Sequence, residues 1–238
     1  MVPGTIGSGT LVPGTRVPGL GQKGIDISIN YLHDMTAMGR PPRIQFEGAF
    51  YHVYNRGVEK RAIFMDERDY RTFLHLLAEV VSEFQIRLIA YCLMKNHYHL
   101  FLQTLKANLQ VAMKALQGEY AQYVNTRYSR VGPLFQGRYN SRLVAVDLYS
   151  FALARYIHRN PLEAELVEQI TDYPWSSYPC YVGKLPRWSW LDTDWLLGQF
   201  DADPEIARQR FLQFHNETPP AAESQVLSST GLLTSTRA

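Results

Sequence analysis

Two histidines separated by a single residue are the strongest chemical signal in the chain. They lie in Asn96-His97-Tyr98-His99-Leu100, a strand-like stretch. Side chains alternate between the two faces of a strand, so His97 and His99 point the same way. Their Cβ atoms would be about 7 Å apart, which lets two imidazole rings converge on one cation. The pattern leaves two interpretations open, a metal site or two hydrogen-bonded, partly exposed histidines.

A tyrosine near the end of a helical pattern is the second candidate. Tyr156 and Asn160 are four residues apart and therefore neighbours on one helix face, with Arg159 beside them. A phenol with a pKa of about 10 is a poor nucleophile until a cation stabilises its phenolate, and the Asn160 oxygen can help to hold that cation. Pro161 predicts that Asn160 lies at a frayed helix end. Alternatively Tyr156 only packs, since the chain has 15 tyrosines.

A basic stretch with interspersed aromatic residues lies between these motifs. No acidic residue occurs from 120 to 146. The mixture is typical of surfaces that neutralise phosphates and stack bases on Tyr128, Phe135 or Tyr139, although a solvated surface loop has the same composition. We predict DNA contacts in this stretch and at the ends of the first strand, by Arg127, Arg130, Arg138, Tyr139 and Arg142, and by Arg43, Asn55 and Arg56.

The composition fits a folded domain with extensions. Of the 238 residues, 46% are hydrophobic, and no apolar run approaches the roughly 20 residues that span a bilayer. Residues 38–190 carry 19 Lys and Arg against 13 Asp and Glu, whereas residues 191–238 carry 3 against 7. The excess of positive charge in residues 38–190 suits a polyanionic partner. Two cysteines are too few for a disulfide framework, although one bridge stays open, so a reduced, cytoplasmic location fits best.

The spacing of hydrophobic residues predicts the strands and helices that position these candidate residues. Strand patterns cover 50–56, 86–93, 98–102 and 139–146. One helical pattern follows Asp66, which can cap that helix, and two others cover 105–128 and 147–160. The resulting order, β-α-β-β-α-β-α, predicts an α+β fold in which helices pack on a mainly antiparallel sheet.

Together these motifs resemble those of the HUH single-tyrosine transposases, most nearly the REP-associated tyrosine transposase branch. The histidine strand is followed by Tyr156-Ile157-His158-Arg159-Asn160-Pro161, and the resemblance covers about residues 38–200. Tyr98 stands where many relatives have an aliphatic residue or methionine. Further branch-like motifs occur in order: Met38-Gly39-Arg40-Pro41-Pro42-Arg43-Ile44, Gly48-Ala49-Phe50-Tyr51-His52-Val53, Asn55-Arg56-Gly57, Leu134-Phe135-Gln136-Gly137-Arg138-Tyr139 and Tyr173-Pro174-Trp175-Ser176-Ser177-Tyr178.

The resemblance implies a function. Tyr156 would be the nucleophile, and His97, His99 and Asn160 would hold Mg²⁺ or Mn²⁺, although relatives place different polar residues at the third position. The substrate would be single-stranded or hairpin DNA, nicked and rejoined through a 5′-phosphotyrosine. Two alternatives stay open: a hairpin-binding protein that does not cleave, and a metal-dependent phosphodiesterase in which water attacks. Both a monomer and a homodimer remain compatible.

The same resemblance suggests a domain organisation. Residues 38–190 would form the catalytic domain with a ferredoxin-like HUH core, followed by a C-terminal helical extension over 191–216 and a disordered tail over 217–238. Residues 1–37 repeat Val-Pro-Gly-Thr and offer no apolar periodicity. We interpret them as a low-complexity leader that is disordered or precedes the true start at Met35 or Met38.

Overall fold

Four antiparallel strands organise the part of the chain that the structure describes. The structure is a computed structural model that describes residues 44–144 and 148–220. The strands are β1 (Phe50–Arg56), β2 (Ile86–Met94), β3 (His97–Thr104) and β4 (Asn140–Leu143). They form one sheet in the order β2-β3-β1-β4, and each neighbouring pair is antiparallel. The predicted α+β class with an antiparallel sheet is confirmed.

Helices cover both faces of this sheet. Asp66 caps the first of them as predicted, since its side chain accepts hydrogen bonds from the backbone N–H groups of Arg68 and Asp69. The second begins after Asn108, later than predicted, because residues 105–108 form a turn in which the Asn108 side chain donates to the Phe84 carbonyl. The helices are α1 (Glu67–Glu83), α2 (Leu109–Arg127), α3 (Leu148–Glu163), α4 (Tyr178–Tyr181), α5 (Thr193–Leu197) and α6 (Pro204–Asn216), with 3-10 turns at Val58–Lys60 and Ile170–Asp172.

The alternation of side chains along β3 divides the interior into two cores. Tyr98, Leu100 and Leu102 share one face, where they pack with α1 and α2. On the opposite face Phe101 packs in a second core with residues of α3 and the C-terminal helices. The histidines share this second face, and the covering helices bury them.

The outer edge of β2 is closed by segments from later in the chain. Leu191 forms a parallel bridge with Leu88, and the Leu88 carbonyl accepts from the N–H of Asp192 at 2.8 Å. Further along β2, the N–H of Leu93 donates to the Trp175 carbonyl at 2.9 Å. These bonds satisfy backbone groups that an edge strand would leave exposed. Helices α5 and α6 follow, within the predicted extension, whose boundary stays a prediction.

Several predictions fall on residues that the structure does not describe. They are Arg43, the leader over 1–37 and residues 221–238 of the tail. Within the described residues, none of the helices has the length and apolarity needed to cross a membrane. Cys92 and Cys180 are both buried as free thiols, so the bridge left open by the sequence is not formed.

Candidate active site

The site is built on the face of the sheet that α3 covers. In the antiparallel pairing of β1 with β3, Arg56 lies opposite His97 and Tyr54 lies opposite His99. Residues directly opposite each other in such a pair project to the same face of the sheet. On the other side of β1, Arg142 of β4 pairs with His52. The sheet therefore gathers histidines, an aromatic ring and two arginines on one surface.

Helix α3 carries the predicted nucleophile onto this surface. The ring centroid of Tyr156 lies 5.5 Å from that of His99, in an edge-on arrangement, and 6.2 Å from that of His52. Tyr156 is only 4% exposed. The fold thus brings together the tyrosine and the histidine pair that sequence spacing alone could not connect.

The two predicted ligand histidines are buried and electrically neutral. His97 is 7% exposed and His99 is 2% exposed, and their ring centroids lie 5.1 Å apart. Burial lowers the pKa of His97 to about 4, helped by the positive charge of Arg56. Burial also holds the pKa of His99 well below its usual value, helped by His52 and His97. Neutral imidazole is the form that binds metal ions.

Asn160 lies one helical turn beyond Tyr156, and its surroundings differ from the prediction. Helix α3 does not end before Pro161 but continues to Glu163, so the predicted frayed end is wrong. Pro161 falls in the last turn, where it removes only one helical hydrogen bond. The carbonyls of Asn160 and Pro161 still accept from the N–H groups of Ala164 and Leu166. Asn160 is therefore buried in a continuous helix.

Three buried atoms of His97, His99 and Asn160 have the chemistry of metal ligands. Within the described residues, the Nε2 atoms of His97 and His99 and the Oδ1 atom of Asn160 are buried without a hydrogen-bond partner. The Asn160 Nδ2 group donates to the Tyr156 carbonyl at 2.8 Å, which leaves Oδ1 available. Buried polar atoms normally have partners, and two imidazole nitrogens with an amide oxygen fit Mn²⁺ or Mg²⁺. In the same ranges, no group of three or more His, Cys, Asp or Glu side chains is arranged to hold a metal ion.

His52 is a site residue that the sequence analysis missed. It is completely buried, and its Nε2 atom lies 2.9 Å from Nδ1 of His99. Burial lowers the pKa of His52 to about 3, with a further contribution from the charge of Arg142. The alternation of His52, Tyr54 and Arg56 along β1 repeats the pattern of the histidine strand. That signal was available, but the pairing of β1 with β3 was needed to interpret it.

The predicted DNA-binding residues divide into two groups. Arg56 and Arg142 lie on the site face, and exposed Arg138 lies in the loop that follows Phe135. Asn55 is 1% exposed, and its side chain donates to the Gly137 carbonyl at 3.0 Å, which anchors this loop to β1.

The remaining predicted contacts lie beside helices α1 and α2. The guanidinium of Arg127 donates to the carboxylates of Asp66 and buried Asp69, and so ties α2 to the start of α1. The rings of Tyr139 and Phe135 are buried in the α1–α2 core, and the Tyr128 hydroxyl donates to Asp69. This packing argues against base stacking at these rings. Arg130 is half-buried just after α2, and its DNA contact stays a prediction.

Comparison with known proteins agrees with this arrangement. Residues 45–160 match the family model described as "Transposase IS200 like", and this segment contains all four strands, the histidine pair, Tyr156 and Asn160. The match covers slightly less than half of the chain. This segment is similar to the IS200-like transposase family, in agreement with the resemblance to single-tyrosine transposases. Members of this family generally depend on a divalent metal.

The fold is similar to that of a solved transposase structure. A REP-associated tyrosine transposase bound to a REP hairpin is 15% identical, with a TM-score of 0.55, and the match covers 62% of this chain and 87% of that one. A Deinococcus radiodurans R1 protein described as a transposase is 19% identical, with a TM-score of 0.35 and coverage of 51% and 95%. No curated protein is similar enough in sequence to give a match.

Proposed function

We propose that this transposase nicks and rejoins single-stranded DNA at palindromic hairpins through a covalent 5′-phosphotyrosine at Tyr156. The observation that carries the proposal is the position of the Tyr156 ring beside His99, one of the two histidines whose Nε2 atoms are buried without partners. The similar fold of the REP-associated transposase, which is bound to a REP hairpin, supports the choice of substrate.

His97, His99 and Asn160 would hold Mg²⁺ or Mn²⁺. When bound, the ion supplies Lewis-acid polarisation of a scissile phosphate and charge stabilisation for the phenolate. Two nitrogen ligands favour Mn²⁺ over Mg²⁺. Which ion the protein uses is testable by comparing the two at equal concentration.

The protein side chains define the covalent step. The Tyr156 oxygen attacks phosphorus and forms a phosphotyrosine bond to the 5′ side, while the bond to the 3′ oxygen breaks. The phenol loses a proton and the departing 3′-hydroxyl gains one. One phosphodiester replaces another, so a 3′-hydroxyl can reverse the step at a new junction without an energy source. Helix α3 holds the nucleophile rigidly, which restricts the reaction to a phosphate presented in line.

Positive side chains around the site would bind the flanking DNA. Arg56 and Arg142 lie on the same face of the sheet as the histidines, at the end of β1 and on the edge strand β4. Exposed Arg138 extends this positive surface along the loop that Asn55 anchors. Contacts of this kind are largely to phosphates, so they give affinity without sequence preference.

The test is a cleavage assay on two DNA forms. Purified protein is incubated with a single-stranded hairpin oligonucleotide or its perfectly paired duplex, with Mn²⁺ or EDTA, and the products are separated on a denaturing gel. We expect a protein-linked 5′ end from the hairpin with Mn²⁺ only. Free ends without a protein link would favour a phosphodiesterase that uses water, and binding without cleavage would favour a hairpin-binding protein.

A further inference from the structure

Each histidine of the proposed metal site contacts a neighbouring side chain through its Nδ1 atom. His97 Nδ1 lies 2.6 Å from Oδ1 of Asn96, and His99 Nδ1 lies 2.9 Å from Nε2 of His52. Neither neighbour is itself a proposed ligand. A neutral imidazole carries its proton on one nitrogen and a lone pair on the other, so these contacts bear on which nitrogen can bind a metal.

The contact with Asn96 selects one tautomer of the neutral His97 ring. The Asn96 Nδ2 group donates to the Lys60 carbonyl at 3.0 Å, which fixes the orientation of the amide and turns Oδ1 toward His97. An amide oxygen only accepts hydrogen bonds, so Nδ1 of His97 must carry the proton. The lone pair is then on Nε2, the atom that is buried without a partner.

The turn that carries Asn96 is itself held in place. The Asn96 carbonyl accepts from the N–H of Gly57 at 2.8 Å. The Lys95 carbonyl accepts from the N–H groups of Ile63 and Phe64 at 2.9 Å and 3.1 Å. The β2–β3 turn is therefore fixed to the segment that follows β1, which gives the Asn96 oxygen a defined position beside the His97 ring.

The contact of His99 with His52 permits two proton arrangements. If His99 Nδ1 donates to His52 Nε2, the lone pair of His99 is on Nε2 and faces the proposed metal position. In the reverse arrangement, Nε2 of His99 carries a proton and cannot bind a metal. Since His52 and His99 are stacked with ring centroids 5.1 Å apart and both are buried, their relative orientation is fixed. Bound metal would satisfy His99 Nε2, and so favours the first arrangement.

We propose that Asn96 and His52 are positioning residues that hold His97 and His99 in the Nδ1–H form with both Nε2 lone pairs available to one divalent cation. The inference rests on the proposed metal site. Partners of this kind around ligating histidines fix the ring orientation and the tautomer, and their loss typically weakens metal binding by about 10- to 100-fold.

The first measurement needs no metal and no DNA. Nitrogen-15 NMR of the imidazoles in the full-length, metal-free protein should give His97 as the Nδ1–H tautomer. The variant Asn96→Leu should release the ring to the Nε2–H form, and Asn96→Asp, which keeps the acceptor, should retain Nδ1–H. A His97 ring that is Nε2–H in the unmodified protein, or unchanged in Asn96→Leu, would overturn the inference whatever the protein does to DNA.

The second measurement is the affinity for Mn²⁺, which is determined from the electron paramagnetic resonance signal of the free ion. Asn96→Leu and His52→Leu should bind Mn²⁺ about 10- to 100-fold more weakly, whereas Asn96→Asp and His52→Gln, which keep an acceptor for Nδ1–H, should recover most of the affinity. Asn108→Leu is a matched control, because Asn108 also donates to a turn carbonyl but lies away from the site.

The outcomes separate this inference from the proposed function. If folded Leu variants bind Mn²⁺ as the unmodified protein does, while His97→Ala does not, the positioning roles are wrong and the metal site stands. If the unmodified protein forms no DNA adduct, the proposed function fails, and the tautomer measurement still decides the roles of Asn96 and His52. Should His52→Leu not fold, His52→Gln carries the test, and weak Mn²⁺ binding by a folded His52→Gln would contradict the proposal.

Discussion

The ring of Tyr156 on helix α3 lies edge-on to the ring of His99 on strand β3, with 5.5 Å between the centroids. These residues are far apart in the sequence, and only the packing of α3 on the sheet brings them together. The arrangement gives the proposed nucleophile, Tyr156, a fixed position beside a histidine pair whose Nε2 atoms lack partners in the described structure.

Removing either histidine of the pair should abolish metal-dependent cleavage. His97→Ala or His99→Ala leaves too few ligands to align the phosphate, and we expect the cleavage rate to fall by about 100-fold or more. His75→Ala, on the exposed face of α1, is the matched control and should cleave at the normal rate. Full activity of the unmodified protein in EDTA would rule out the metal site.

The arginines should separate into DNA-binding and structural residues. Arg56→Ala and Arg142→Ala should each weaken hairpin binding and reduce the slope of log affinity against log salt by about 0.7, with little change in Tm. Arg127→Ala should instead lower the Tm, because it leaves the buried Asp69 carboxylate without its cationic partner. Fluorescence anisotropy of hairpin binding at several salt concentrations gives the salt slope, and thermal unfolding gives the Tm of each variant. If Arg127→Ala changed the salt slope and left the Tm unchanged, Arg127 would be a DNA-binding residue and not a structural one.

Stability should fall in acid because of a buried histidine contact outside the metal site. His158 Nδ1 lies 3.0 Å from His215 Nε2, and burial lowers the pKa of His215 to about 3 and that of His158 well below its usual value. In the unfolded chain both imidazoles titrate at about pH 6.5. The unfolded chain therefore binds more protons below that pH, so stability is complete above it and is lost as the pH falls toward about 3.

Thermal unfolding from pH 8 to pH 4 tests this dependence. Each such histidine contributes up to about 1.4 kcal/mol of lost stability per pH unit. We expect the acid-induced fall of the free energy of unfolding to be shallower in His215→Gln. Parallel profiles for the two proteins would mean that His215 does not titrate on unfolding as described.

The paired DNA form should be a poor substrate. A phosphate can be presented in line to a tyrosine on a rigid helix only if the strand around it is flexible, so the hairpin should be cleaved and the perfect duplex should not. Affinity should differ less than cleavage, because the contacts of Arg56, Arg138 and Arg142 would be to phosphates in both forms. Equal cleavage of hairpin and duplex would indicate a general nuclease and would contradict the transposase mechanism proposed above.

Much of the fold could be predicted because local patterns and packing agree. The aromatic and β-branched run of β1 ends at Arg56 as predicted, and Asp66 caps α1. The shared face of His97 and His99 follows directly from the two-residue period of a strand. Their burial did not follow, because it depends on α3 covering that face, which is a property of the tertiary structure.

The predictions that did not hold share a physical cause, since they concern contacts between distant parts of the chain. His52 was missed because only the register of β1 against β3 puts it beside His99. Pro161 was taken as a helix end, but packing holds the last turn of α3 around it. The ion pairs of Arg127 with Asp66 and Asp69 were likewise not indicated by any local pattern, and its DNA contact stays a prediction.

The most direct test is to identify the residue that becomes linked to DNA. Unmodified protein, Tyr156→Phe and the control Tyr149→Phe on the same helix are each incubated with the hairpin and Mn²⁺, and the adduct is digested and mapped by mass spectrometry. The account predicts a 5′-phosphotyrosine at Tyr156 in the unmodified protein and in Tyr149→Phe. It predicts none in Tyr156→Phe, whose hairpin affinity should stay within a few-fold because one hydroxyl contributes little to a phosphate-dominated interface. An adduct in Tyr156→Phe, or one mapped to another tyrosine, would contradict it.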